Sequence, residues 1–104
     1  MKQTKIVKAK ILNWHGKFGN CGVSVSCARL FTNYKNYDFT FYTLSPDKNN
    51  QVTEKHTLLL NDLVGKEVTI EYREVLISNY VQRNITRIFL DGKKVYDFDA
   101  VVNV

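Results

Sequence analysis

Six stretches of this sequence alternate apolar and polar residues with a period of two, which is the period of a half-buried strand. In the first, Thr4–Trp14, Val7, Ala9 and Ile11 oppose Lys8 and Lys10. Ile6, Leu12 and Trp14 fall on the lysine side, so the ends of this strand should be twisted or covered. Val23, Val25 and Cys27 then alternate with Ser24, Ser26 and Ala28 in a strand reaching about Thr32. Tyr37, Phe39 and Phe41 alternate with Asp38, Thr40 and Tyr42 up to Leu44, and Val68, Ile70 and Tyr72 alternate with Thr69, Glu71 and Arg73 within Lys66–Leu76. The last two, Ile85–Leu90 and Lys93–Phe98, flank Asp91-Gly92, a dipeptide that closes hairpins because both residues tolerate positive φ.

The connections carry their own signals. Asn13–Gly22 is a glycine-broken loop, and Asn33-Tyr34-Lys35-Asn36 is a turn cluster. Ser45–Thr57 is polar, holds the only proline, and reads as a surface loop. Thr57 caps a short helical plug, Leu58–Val64, with Gly65 as its left-handed stop. Ser78–Gln82 reads as a connection into the last hairpin. The tail Ala100–Val104 is apolar enough to pack. At 104 residues one domain spanning 1–104 is expected, mainly β: a small antiparallel barrel of five to six strands with one short helix between the third and fourth.

Several function classes drop out. No apolar run approaches the roughly 20 residues of a membrane span, and Lys8 and Lys10 interrupt any signal-peptide core, so a cytoplasmic protein is expected. Cys21 and Cys27 should be reduced, too far apart along an extended chain for an easy bridge. No metal or other cofactor is expected, because His15 and His56 are isolated and no second cysteine pair exists. The Asn84-Ile85-Thr86 sequon lacks a secretory context. No phosphate-cradling glycine loop, zinc-protease pattern or nucleophile elbow is present, and Cys21 with His15 lacks a third orienting group, so no catalytic residue is assigned and a non-enzymatic protein is expected.

The order strand, loop, strand, turn, strand, plug, and then Leu63-Val64-Gly65-Lys66-Glu67-Val68-Thr69-Ile70 opening a fourth strand resembles the OB-fold, the five-stranded barrel found in single-stranded nucleic-acid binders. The similarity covers most of the chain, with Lys93–Phe98 as an extra strand. An SH3-like barrel or a plain sheet with one helix are the alternatives. The resemblance implies a groove made by the loop joining the first two strands and the outer face of the second and third, where Ser24, Ser26, Thr40 and Tyr42 are expected, with Arg29 near the far end.

Charge gives that groove a ligand class. Met1–Tyr37 holds seven basic residues and no acidic one, a charge of +7. The remaining eight of the 15 basic residues and all 10 acidic ones follow it, giving −2. Cations next to flat rings are what a single-strand binder needs, since phosphates require neutralisation and bases stack. Lys8, Lys10, Lys17, Arg29 and Lys35 are the candidate phosphate contacts, and Trp14, Phe18, Tyr34 and Tyr42 the candidate stacking rings. A competing surface lies on the terminal hairpin. Counting outward from its turn pairs Phe89 with Lys94, Arg87 with Tyr96 and Ile85 with Phe98. With Tyr80 and Arg83, that face suits a protein partner or self-association.

Overall fold

The computed structural model describes residues 4–102, with side chains as far as Ala100. Lys2 and the end of the apolar tail lie outside the described residues. Seven strands and two helices follow in the order β1 (Thr4–Trp14), β2 (Gly19–Gly22), β3 (Val25–Thr32), β4 (Asp38–Leu44), α1 (Pro46–Leu63), β5 (Glu67–Ile77), β6 (Tyr80–Leu90), β7 (Lys93–Asp97) and α2 (Phe98–Val102).

The strands form one sheet in the order β1-β5-β6-β4-β3-β2, and a further β1–β3 pairing turns five of them into a ring. β1 is long because it serves two neighbours: Thr4–Lys10 pair with β5 and Ile11–Trp14 with β3. A register shift between Ile11 and Asn13 marks the changeover. It also rotates Trp14 off the lysine side and into the core, where the indole is 7 % exposed. The ring is completed by a parallel contact of β4 with β6 at Thr40 and Asn84. Phe39, Phe41, Ile11, Leu30, Ile70, Ile85 and Ile88 fill the interior, each contributing roughly 1.5–3 kcal/mol by leaving water.

Four sequence expectations are corrected. The polar Ser45–Thr57 segment is helix, and α1 begins at Pro46 instead of Leu58. Within this polar stretch the buried positions are Thr53 and His56, and they satisfy polar atoms below: Thr53 Oγ1 donates to the Leu44 carbonyl at 2.7 Å, and Thr43 Oγ1 lies 2.6 Å from His56 Nδ1. A helix that buries hydroxyl and imidazole shows no apolar stripe in its sequence. Asn49, non-helical at φ −161°, kinks the first turn, and its Oδ1 accepts the Val52 N–H at 3.2 Å, in the manner of an N-cap. The far end is as expected, with Gly65 left-handed at φ 87°.

The second correction is at β6, which starts at Tyr80. Ile77 pairs with Tyr80 across the two-residue turn Ser78-Asn79, so the expected connection is itself a hairpin. Third, β3 presents the opposite face: Ser26 and Ala28 point inward, opposite Thr43 and Phe41, and Val25 and Cys27 point outward. Fourth, Asp91-Gly92 closes its hairpin with φ of 52° and 79°, but a bulge between Ile88 and Phe89 pairs Ile88 with Tyr96 and Arg87 with Asp97. Tyr96 is thereby turned into the core, and Phe98 leaves the hairpin to start α2.

Candidate nucleic-acid interface

A cleft of about 400 Å³ lies where three pieces of chain converge. The loop after β1 contributes His15 and Lys17, tied to β3 by the His15 N–H donating to the Arg29 carbonyl at 2.9 Å. The outer face of the β3–β4 pair supplies the floor, with Cys27, Arg29 and Thr40. The start of β6 supplies the second wall, with Tyr80, Val81, Gln82 and Arg83. Gln82 locks wall to floor: its Nε2 donates to Tyr42 Oη at 3.0 Å and to Thr40 Oγ1 at 3.4 Å.

The lining is cationic. Lys17, Arg29 and Arg83 face one carboxylate, Asp38, which is 3.6 Å from Arg29 Nε. Both partners of that pair are well exposed, so water screens it and the guanidinium remains available. Arg83 is held more firmly: its guanidinium lies 3.5 Å from the Tyr37 ring centroid, and its Nε is 3.4 Å from Glu74. That last contact is an ion pair by distance only, since Nε makes no hydrogen bond. Glu74 is shared with Lys5 at 2.6 Å, and the hydrogen bond from Lys5 is the main cause holding its carboxyl below the usual range.

The cleft gathers some of the expected residues and not others. Lys17 and Arg29 line it. Trp14 is buried, its Nε1–H donating to Asn61 Oδ1 at 2.9 Å, and Phe18 packs between the Trp14 and Phe41 rings at centroid distances of 5.6 and 6.1 Å. Neither is a free stacking platform, because both close the end of the ring beside α1. Tyr34 stands edge-on to Tyr37 at 5.5 Å, with the Lys35 ammonium over its ring, in the turn joining β3 and β4. Lys8 and Lys10 are exposed along β1, outside the cleft. Of the expected outer-face residues, Thr40 and Tyr42 are there and Ser26 is in the core.

Tyr42 stands on the far side of the Gln82 bridge. There a smaller cleft of about 280 Å³ is bordered also by Arg73, Asn84 and Phe98. Its hydroxyl donates to Asn84 Oδ1 at 3.1 Å, and its pKa is pushed up to about 12, chiefly by burial and then by the neighbouring Cys21 and Cys27. It is neutral at physiological pH.

The second expected surface is divided. Tyr80, 58 % exposed, and Arg83 belong to the cleft itself. Arg87 is engaged by Glu71 at 2.5 Å and by Asp97 at 3.5 Å, and Lys94 by Asp97 at 2.8 Å. Phe89 is half-buried, and Tyr96 is buried with its hydroxyl donating to the Tyr42 carbonyl at 2.5 Å. The bulge dismantles the aromatic face counted from the turn. What sequence reasoning missed is the β5–β6 tip, where Leu76, Ile77 and Val81 are exposed beside Tyr80. Its signal was the polar pair Ser78-Asn79 between two apolar dipeptides. Among the described residues, no cluster of three or more His, Cys, Asp or Glu is placed to hold a metal ion, and no helix is long and apolar enough to cross a membrane.

The sequence matches no protein-family model and no curated protein. In three dimensions the chain is similar to the crystal structure of an SSB domain from Synechococcus sp., with a TM-score of 0.52 over 86 % of this chain and 96 % of that one, at 13 % identity. The fold is therefore OB-like, with the ring of five strands elaborated by β2, β7 and the two helices.

Proposed function

We propose that this chain is a non-enzymatic module that binds single-stranded DNA or RNA along the cleft between the β1–β2 loop and the β5–β6 hairpin. The observation that carries the reading is the coincidence of position and charge. In an OB-like ring, three cations and one screened carboxylate line a cleft floored by the outer faces of the second and third ring strands. Lys17 and Arg29 neutralise phosphates, and Arg83 adds fixed positive charge to the wall. His15 and Tyr80 present flat faces for bases, and Thr40 and Gln82 supply polar contacts that any base satisfies. Lys8, Lys10 and Lys35 extend the attraction beyond the cleft, and Tyr42 with Phe98 offers a further stacking position across the Gln82 bridge. The solved structure that this fold resembles is described as an SSB, or single-stranded DNA-binding, domain, which supports the same ligand class.

Fluorescence anisotropy with a labelled oligothymidylate tests it. Binding at low salt should weaken with a log–log salt slope of about −0.7 per phosphate neutralised, or about −1.4 for the two contacts of Lys17 and Arg29. No anisotropy change at low ionic strength overturns the proposal.

One observation favours a second reading. The exposed apolar tip of Leu76, Ile77, Tyr80 and Val81 suits a protein partner or a second copy of the chain. Sedimentation separates the two: a stable dimer without oligonucleotide affinity would favour the second.

A further inference from the structure

Cys21 and Cys27, expected to be out of reach of each other along an extended chain, are neighbours because β2 folds back onto β3. Gly19 pairs with Cys27, Asn20 with Ser26 and Gly22 with Val25, so Cys21 is the extra residue of a bulge on β2. The residue directly opposite Cys27 is Gly19, whose missing side chain leaves open space. Cys21 Sγ donates to the Val25 carbonyl at 3.9 Å, two residues before Cys27 on the paired strand. Cys21 is exposed, and Cys27 lines the cleft beside Arg29 and across from Tyr42.

We propose that Cys21 and Cys27 form a reversible oxidation site, at which a peroxide converts the two thiols into a disulfide that clips β2 onto β3 along the cleft. Partial desolvation of its sulfur, with the neighbouring Cys27 second, pushes the Cys21 thiol up to about 12, so it stays protonated and serves as the resolving partner. The Cys27 sulfur gives up its proton and attacks one peroxide oxygen, forming a sulfenic acid and releasing water once the proton is returned. Cys21 then attacks that sulfur, the S–O bond breaks, and a second water leaves with the Cys21 proton. Two thiols are oxidised and one peroxide is reduced to two waters.

The mechanical consequence lies in β2. That strand has four exposed residues and, among the described strands, pairs only with β3, so little beyond its backbone hydrogen bonds to β3 holds it. A covalent clip removes its freedom to lift. Any effect on nucleic-acid affinity rests on the function proposed above, but formation of the bond does not.

The test treats the reduced, full-length protein with hydrogen peroxide. Intact mass should fall by two hydrogens, both thiols should lose maleimide labelling together, sedimentation should be unchanged, and dithiothreitol should restore the starting mass. Hydrogen exchange of the β2 amides should slow in the oxidised form. In Cys21→Ser the same treatment should add oxygen to Cys27 or link two chains, because the resolving thiol is gone. Retained labelling, addition of oxygen to the unsubstituted protein, or covalent dimers of it would overturn the proposal. These readouts stand even if no oligonucleotide binds.

Discussion

The indole N–H of Trp14, at the last residue of β1, donates to Asn61 Oδ1 near the end of α1 at 2.9 Å. This bond fastens the helix to the strand that pairs with both β3 and β5, and it makes the only tryptophan a structural residue beside the cleft. Replacing Trp14 by Ala should cost about 3–5 kcal/mol, from lost packing against Phe18 and the cavity left behind. Asn61→Ala should cost about 1 kcal/mol, the typical worth of one hydrogen bond. Denaturant titrations monitored by circular dichroism measure both. Asn61→Ala should leave oligonucleotide affinity unchanged.

His56 makes folding sensitive to acid. Buried on the inner face of α1 against the Phe41 and Tyr96 rings, it has a pKa lowered from 6.5 to about 4, first by burial and then by Lys55. The folded state binds the proton less readily than the unfolded one. Its contribution is therefore complete above pH 6.5, declines as pH falls from 6.5 towards 4, and is gone below that. The loss should approach about 3 kcal/mol at the acid end. His56→Gln should flatten this part of the stability curve relative to the unsubstituted chain, as measured by urea midpoints across pH.

Arg29 and Lys94 separate cleft charge from total charge. Arg29→Ala removes a cation whose one acidic neighbour, Asp38, lies at a loose 3.6 Å. The salt slope for oligonucleotide binding should become shallower by about 0.7, one phosphate contact on a single strand. Lys94 is bonded to Asp97 outside the cleft, so Lys94→Ala makes the same change in net charge and should leave the slope unaltered. Equal effects of the two substitutions would show that the cleft has no special role.

Glu74 restrains the cleft from behind. Its carboxylate neutralises Lys5 and Arg83 together. Glu74→Gln should strengthen oligonucleotide binding several-fold at low ionic strength, with the gain vanishing as salt screens the freed charge. The same anisotropy titration at two salt concentrations checks it.

Local chemistry in the sequence determined where chain reversals occur and how most strands begin. Asp91-Gly92, Asn33–Asn36 and Gly65 occupy turns or stops because few residues tolerate their backbone angles. The alternation in Tyr37–Leu44 placed Phe39 and Phe41 inside and Thr40 and Tyr42 outside, as found. The acid-free first third also drew attention to Lys17 and Arg29, which line the cleft, because charge is a property of composition. Tertiary structure decided the rest. Bulges that leave Leu12 of β1 and Val95 of β7 unpaired moved Trp14 and Tyr96 into the core, and a period-two reading cannot foresee a residue left out of the pairing. The polar helix over Pro46–Thr57 exists because Leu44 and Thr43 await its Thr53 and His56. The second wall of the cleft exists because β6 returns beside β4. Pairings between residues some forty positions apart, such as Tyr42 with Gln82, have no local sequence signature.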